Sequence, residues 1–343
     1  MSIIEGDEIE EAPFFSSTGD WFLNGCRYAK IDFVLMTKSP PRKVLIAQDF
    51  SFASNFPEFY TDKAAFTFEP GLRFTIGEML GRDTNNREHM VELTYLGSFN
   101  WVTRAKFESA SPGQIGSLLG PNAITIGGFN GASIQDYFYR ADLNSVAINY
   151  KIQNRPARDR LVMQPDGSWE QQASPSSMPA YYIGLRGISA DERFLYSSFG
   201  VNTAQFMGTY RTTTDNNMVG IHLGGEYYED YENWSFGVKG GLGGLVNFAD
   251  RTSQVHDVSN FVTTVRTEEV DEVNLVFLGE LSLDSRLKLT PQSSFHLSFD
   301  MLYLNGLALA PENMELNATT FPRLNTGGDA LYQSLSAGFD FVW

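Results

Sequence analysis

The sequence predicts an all-β fold, an antiparallel up-and-down transmembrane β-barrel with a best count of ten strands, and three observations carry that prediction. Apolar and polar residues alternate with period two along the chain, broken by Gly, Asn, Asp, Ser and Pro clusters, while helical periodicity is nearly absent. Several alternating runs reach 13 to 15 residues, whereas a soluble strand has about 5 or 6 and a tilted membrane strand needs about 9 to 11 in hydrocarbon. The chain also ends in "ALYQSLSAGFDFVW", an aromatic face that a soluble protein seldom leaves at a frayed end. Alternation alone would also suit a soluble sandwich with its apolar face buried; run length and the chain end favour a barrel with that face in lipid.

The strands follow in order. Ala29, Ile31, Phe33 and Leu35 oppose Tyr28, Lys30 and Asp32, and Leu72, Phe74 and Ile76 oppose Gly71, Arg73 and Thr75. Val91, Leu93, Tyr95, Phe99 and Trp101 are expected on one face, against Glu92, Thr94, Ser98 and Asn100. Val146, Ile148, Tyr150 and Ile152 alternate with Ser145, Ala147, Asn149 and Lys151; Ile183 and Leu185 with Gly184 and Arg186; Val219, Ile221, Leu223 and Tyr227 with His222, Gly224 and Glu226. In "WSFGVKGGLGGLVNF" the apolar set is Trp234, Phe236, Val238, Leu242, Val246 and Phe248, and the glycines mark a narrow or bent strand. The clearest run, "NLVFLGELSLDSRLK", sets Leu275, Phe277, Leu281, Leu283 and Leu287 against Glu280, Ser282, Asp284, Arg286 and Lys288. After "TPQSS" it pairs with "FHLSFDMLY" in a long hairpin.

An even strand number with both termini periplasmic places up-strands near 21–37, 87–103, 179–195, 232–248 and 294–305, and down-strands near 64–80, 139–153, 205–229, 272–289 and 330–343. The links "GRDTNN", "EDYEN" and "TPQSS" are then short and periplasmic, while 38–63, 104–138, 249–271 and 306–329 are long and external. The stretch 154–178 breaks this rule, and a further hairpin there would raise the count to twelve. Residues 1–20 read as an acidic N-terminal segment and 21–343 as a single barrel domain.

Bulk properties narrow the function. No run approaches the roughly 18 apolar residues of a membrane helix; "FVLM" is among the longest. The first residues have neither the basic start nor the apolar core of a signal peptide, so an exported protein would carry this sequence in processed form. Cys26 is the single cysteine, which excludes an intrachain disulfide and a thiolate zinc site. A net charge of −16, part of it at Glu5, Asp7, Glu8, Glu10 and Glu11, disfavours nucleic acid and anionic lipid surfaces as partners of the chain as a whole.

The assembled strands resemble the seventh family of β-barrel porin-like proteins, a planctomycete-type group of outer-membrane β-barrels. The resemblance runs from about residue 21 to the end. It is carried by "GLRFTIGEML" at 71–80 with "VELTYLGSFNW", by "YYIGLRGISADERF" at 181–194, which looks like that family's Gly-x-Arg strand leading to a Glu, and by "NNMVGIHLGGE" at 216–226. The run 278–313 and the closing "LYQSLSAGFDFVW" complete it. His222 stands where the family often has Gln, and Gly187 where it has Tyr after the Arg. The resemblance implies a barrel in the outer membrane of a Gram-negative-type cell envelope and supplies no catalytic residue.

With the apolar face outward, the lumen receives Lys30, Arg73, Lys151, Arg186, Lys239, Arg286 and Lys288 together with Asp32, Glu92, Glu226, Glu280, Asp284, Asp300 and Asp340. A lumen of about ten strands is only slightly wider than its side chains, so this set either zips shut as a structural core or forms a narrow charge-lined constriction. His89, His222, His256 and His296 sit in no recognisable Ser/His/acid constellation, and neither Gly-x-Ser-x-Gly nor His-Glu-x-x-His occurs. No enzyme activity, metal or cofactor is expected. "GGLGGL" at 240–245 fails phosphate-loop spacing, and "PDG" at 165–167 and "GGD" at 327–329 read as turns.

The leading functional expectation is a porin-like narrow passive pore for ions or small polar solutes; the alternative is a non-conducting structural barrel whose loops or N-terminal segment form surface or lattice contacts. Leu335, Phe339, Phe341 and Trp343, at the ninth-, fifth- and third-from-last and the last positions, resemble the C-terminal signal received by barrel-assembly machinery. The expected partners are outer-membrane lipid, that machinery, and envelope proteins or further copies of the chain.

Overall fold

Period-two alternation gives each strand two faces that want different surroundings, and a sheet closed on itself separates them. The computed structural model describes residues 27–52, 56–85, 87–117, 127–154, 160–163, 169–172, 176–201, 206–231, 233–290, 292–314 and 323–343. The acidic segment 1–20, Trp21, Cys26 and the turn at 165–167 lie outside the described residues.

The strands are β1 (Arg27–Lys38), β2 (Leu45–Asp49), β3 (Glu58–Tyr60), β4 (Glu69–Arg82), β5 (Arg87–Glu108), β6 (Ile115–Ser117), β7 (Asn130–Asn154), β8 (Arg160–Met163), β9 (Trp169–Gln172), β10 (Ser176–Gly200), β11 (Phe206–Asp230), β12 (Trp234–Ser259), β13 (Val262–Thr290), β14 (Ser293–Leu307) and β15 (Gly328–Val342). Ten of them close a ring of antiparallel pairs in the order β1, β4, β5, β7, β10, β11, β12, β13, β14, β15 and back to β1. A path of directly paired residues runs from Met79 through Met90, Lys151, Tyr182, Gly224, Gly241, Glu280, Leu302 and Tyr332 to Lys38. It re-enters β1 about twelve residues further along than it left, the stagger of a strongly tilted barrel.

The hairpin in 154–178 exists as β8–β9, but it forms a separate two-stranded sheet, so the ring stays at ten. Two external segments are shorter than the sequence suggests. Residues 249–271 continue β12 and β13 into one long hairpin that turns at Asn260 and Phe261. Both have positive φ, 49° and 68°, the backbone a two-residue turn matched to strand twist requires. β5 likewise runs to Glu108 and β7 starts at Asn130. The wall from β5 to β13 is therefore tall, with strands of 22 to 29 residues, while β1, β4, β14 and β15 have 12 to 15.

Outside, Ile31, Phe74, Ile148, Leu185, Ile221, Leu242, Leu283, Leu297 and Leu335 stand exposed in a continuous belt. So large an apolar surface has no place in water, and its alternation with a polar interior is that of a lipid-facing barrel. The interior has two tiers. The end nearer the chain termini holds charged and hydroxyl side chains; the other is packed with Phe99, Trp101, Tyr139, Ile188, Phe194, Met218, Leu245, Leu278, Leu304 and Tyr332. β2, β3 and β6 continue the sheet from the outer end of β7, and Ile46, Phe59, Ile115, Phe129, Leu309 and Ala310 join the same apolar core.

Phe99 and Trp101 correct the sequence reading, which put them on the lipid face. The β5 register slips between Leu96 and Phe99, and Ser98 adopts φ 70°. This bulge adds one residue, so every later side chain changes face. Trp101 is fully buried, its Nε1–H donating to the Met36 carbonyl at 2.8 Å, and Asn100 and Val102 point out.

Candidate functional site

The charged tier is built by strands that each supply alternate residues, so acids and bases far apart in sequence meet across the lumen. One chain of contacts begins at Arg286, whose Nε lies 2.8 Å from Asp340. His296 stands between two carboxylates, Nδ1 2.9 Å from Asp340 and Nε2 2.7 Å from Asp32. Asp32 pairs with Arg73 at 2.5 Å, and the same guanidinium reaches Asp300 at 3.0 Å and donates to Ser298 and Ser336 at 2.9 and 2.7 Å. Five strands, β13, β15, β14, β1 and β4, are tied by this chain.

A second cluster ties the opposite wall. Lys151 pairs with Glu226 and, at 3.4 Å, with Glu92; Lys239 lies 3.4 Å from Glu226, and the Tyr28 hydroxyl donates to Glu92. Arg186 meets Glu280 at 2.5 Å, and Tyr182 donates to Glu280 at 2.6 Å. A Cβ on Gly224 or Gly241 would collide with the Tyr182 ring end, so the glycine-rich strand makes room for that tyrosine. Nearer the turns, Lys288 pairs with Asp230 at 2.9 Å and donates to the Tyr231 carbonyl at 3.0 Å.

Twelve of the fourteen luminal charges named from the sequence make these ion pairs. Lys30 and Asp284 face inward but have no ion-pair partner within 4.0 Å among the described residues; the Lys30 ammonium lies 5.8 Å from the Tyr28 ring centroid. Sequence reasoning missed Asp230, which reads as part of a turn, and His296, whose neighbours Phe295 and Leu297 mark it as inward without naming its partners. It also missed a buried pair in the apolar tier, Lys38 and Glu192 at 2.7 Å. The Glu of "GLRGISADERF" was visible; Lys38, at the last residue of its strand, carried no such signal.

Leu335, Phe339, Phe341 and Trp343 face outward and exposed. Their strand is no free edge: β15 pairs with β14 on one side and β1 on the other, and the backbones of Arg27 and Trp343 exchange hydrogen bonds of 3.1 and 3.0 Å.

Between the two tiers lies a cavity of about 130 Å³, with Arg73, Arg186, Lys239, His222, Glu280 and Asp300 among its lining residues and Met36 and Leu302 on the apolar side. Such a lining can solvate water or a small charged solute. Above it, Trp101, Tyr139, Phe194, Leu245, Leu278 and Leu304 are each 0 % exposed, so no water-sized path runs alongside them. Among the described residues no group of three or more His, Cys, Asp or Glu side chains is placed to hold a metal ion.

No protein-family model matches the chain, and no curated protein matches it significantly. Among solved structures, the chain aligns with a Pseudomonas aeruginosa FadL homologue at 9% identity and TM-score 0.26, covering 96% of this chain and 93% of that one. It aligns with the P. putida toluene transporter TodX at 7% identity and TM-score 0.19, covering 93% and 90%. With OmpT of Vibrio cholerae the values are 8%, 0.17, 93% and 98%. Likenesses this loose assign neither a family nor a substrate, and the chain's own geometry defines it as a ten-stranded, antiparallel, lipid-facing β-barrel.

Proposed function

We propose that the chain resides in the outer membrane of a Gram-negative-type envelope as a closed, structural β-barrel, whose tall outer wall and outer-end segments face envelope neighbours. The observation that carries this reading is the dry apolar tier: side chains of a conducting lumen are wet, and these are not. The ion pairs below it act as a core, since a charge held in a poorly solvated lumen is stable only when paired. This reverses the preference for a pore that alternation and the family resemblance suggest. Purified protein in a planar bilayer is expected to be electrically silent across voltage and salt; reproducible single-channel steps would overturn the proposal.

The narrow pore remains the second reading, favoured by the cavity lined by Arg73, Arg186 and Lys239 opposite Glu280 and Asp300. It requires the aromatic tier to move aside. Steps whose ion selectivity shifts in Glu280→Gln would establish it.

A further inference from the structure

In a chain of net charge −16, the outer face of the tall wall carries a compact group of bases. On the outward face of β7 the apolar belt ends at Val146, and Asn144, Asp142 and Arg140 follow towards the rim. Cross-strand pairing sets Arg140 beside Arg193, and Arg104 beside Phe138, which is beside Leu195, which is beside Arg211. Directly paired residues on one face have Cβ atoms about 5 Å apart, so Arg104, Arg140, Arg193 and Arg211 share one patch on four adjacent strands.

The patch has a groove. About 650 Å³ of open space lies over β5, β7 and β10, lined by Arg104, Lys106 and Arg193 with Phe138, Leu195 and Phe199. Arg140 is engaged with Asp142 at 2.9 Å and Lys106 with Glu108. Arg104 lies over the Phe138 ring at 5.0 Å. Among the described residues, Arg193 and Arg211 form no ion pair. Like charges side by side repel, and a bound anion would offset that repulsion.

The rest of the wall is unlike this sector. The outward positions of β12 and β13 at the same paired rows are Thr252 and Glu269, then Gln254 and Thr267. The row nearer the belt is acidic throughout, Asp142, Asp191, Asp215, Asp250 and Asp271 standing beside one another. An anion is therefore repelled from that row and drawn to the arginines just beyond it.

We propose that this patch binds the phosphorylated headgroup of an outer-leaflet glycolipid, with Arg193 and Arg211 on phosphate and Phe138 and Leu195 against the apolar face of a headgroup sugar. Charge complementarity selects the phosphate, and the position of the patch just beyond the apolar belt on the rim side, opposite the chain termini, selects a lipid of that leaflet. The proposal rests on the outer-membrane reading above.

Its test is native mass spectrometry of the full chain released from detergent with an acylated disaccharide lipid bearing two phosphates, against the same lipid dephosphorylated. The bisphosphorylated lipid is expected to be retained preferentially, and Arg193→Gln with Arg211→Gln to lower retention about tenfold, the loss of charge-assisted hydrogen bonds. Thr263→Glu with Val265→Glu, exposed on β13 two strands away from Arg211, changes net charge equally and is expected to leave retention unchanged. Equal retention of both lipids, equal loss in both double variants, or displacement by millimolar inorganic phosphate would overturn the proposal. Heat-modifiable gel migration reports the barrel separately: its absence in the unaltered protein would overturn the membrane reading, and its presence with no lipid preference overturns the glycolipid site alone.

Discussion

Lys38 Nζ lies 2.7 Å from Glu192 Oε1, both side chains almost wholly buried in the aromatic tier. The ammonium also donates to the Tyr139 hydroxyl at 3.0 Å, and Glu192 accepts the Ala310 N–H at 2.9 Å. The pair thus holds β1, β10, β7 and the segment after β14 at one point. Lys38→Met strands a buried carboxylate and is expected to cost about 3–5 kcal/mol, whereas Lys38→Met with Glu192→Leu recovers much of the loss. Urea unfolding in lipid bilayers checks this, and a double variant as unstable as the single would refute it.

Trp101 tests the apolar tier. Trp101→Ala removes the indole and its bond to the Met36 carbonyl, leaving a cavity worth about 3–5 kcal/mol of stability. The denaturation midpoint is expected to fall with the slope unchanged; a wild-type midpoint would mean the tier is not tightly packed.

The β5 bulge makes two predictions. Ser98 has φ 70°, so Ser98→Gly is expected to be neutral or to stabilise by about 0.5–1 kcal/mol. Deleting Ser98 removes the extra residue, sets Gly97 alone opposite Asn144 and keeps Phe99 and Trp101 inward, so the heat-modifiable band is expected to persist. A deletion variant that loses the folded band would contradict the assigned register.

At the turn between β4 and β5, Asp83 accepts the backbone N–H groups of Arg87 and Asn85, each at 2.9 Å, and pairs with the Arg87 guanidinium at 2.7 Å. These bonds, the Arg87 amide foremost, hold its carboxyl down to about 2. A carboxylate depressed on folding stabilises the turn fully above its ordinary value, and the contribution is lost as pH falls through about 2. Amide exchange at Arg87 is therefore expected to stay slow through pH 4 and to become fast from pH 4 upward only in Asp83→Asn. Fast exchange at pH 4 in the unaltered protein would disprove the arrangement.

The terminal strand separates folding from delivery. Phe341→Ala with Trp343→Ala removes lipid-facing side chains and no luminal contact, so refolding into vesicles is expected to persist while outer-membrane accumulation in cells drops. Equal accumulation would remove the terminal residues from any role in assembly.

The sequence by itself determined the all-β class, ten ring strands, the inward face of nearly every strand and the charge set of the lumen. Those features are local: period-two alternation is written residue by residue, and a run such as Leu275 to Lys288 fixes its faces without reference to any partner. Only the tertiary structure decided which charges meet, because Asp32 finds Arg73 and His296 through strand order and a stagger that no single strand encodes. It also decided that Phe99 and Trp101 face inward, since one added residue at Ser98 reverses everything after it while leaving composition unchanged. The closed apolar tier is likewise a tertiary result. Its members come from nine ring strands, and their inward positions carry the same alternation as the charged ones, so nothing in the pattern tells a dry lumen from a wet one until the tall wall and the outer-end segments pack around it.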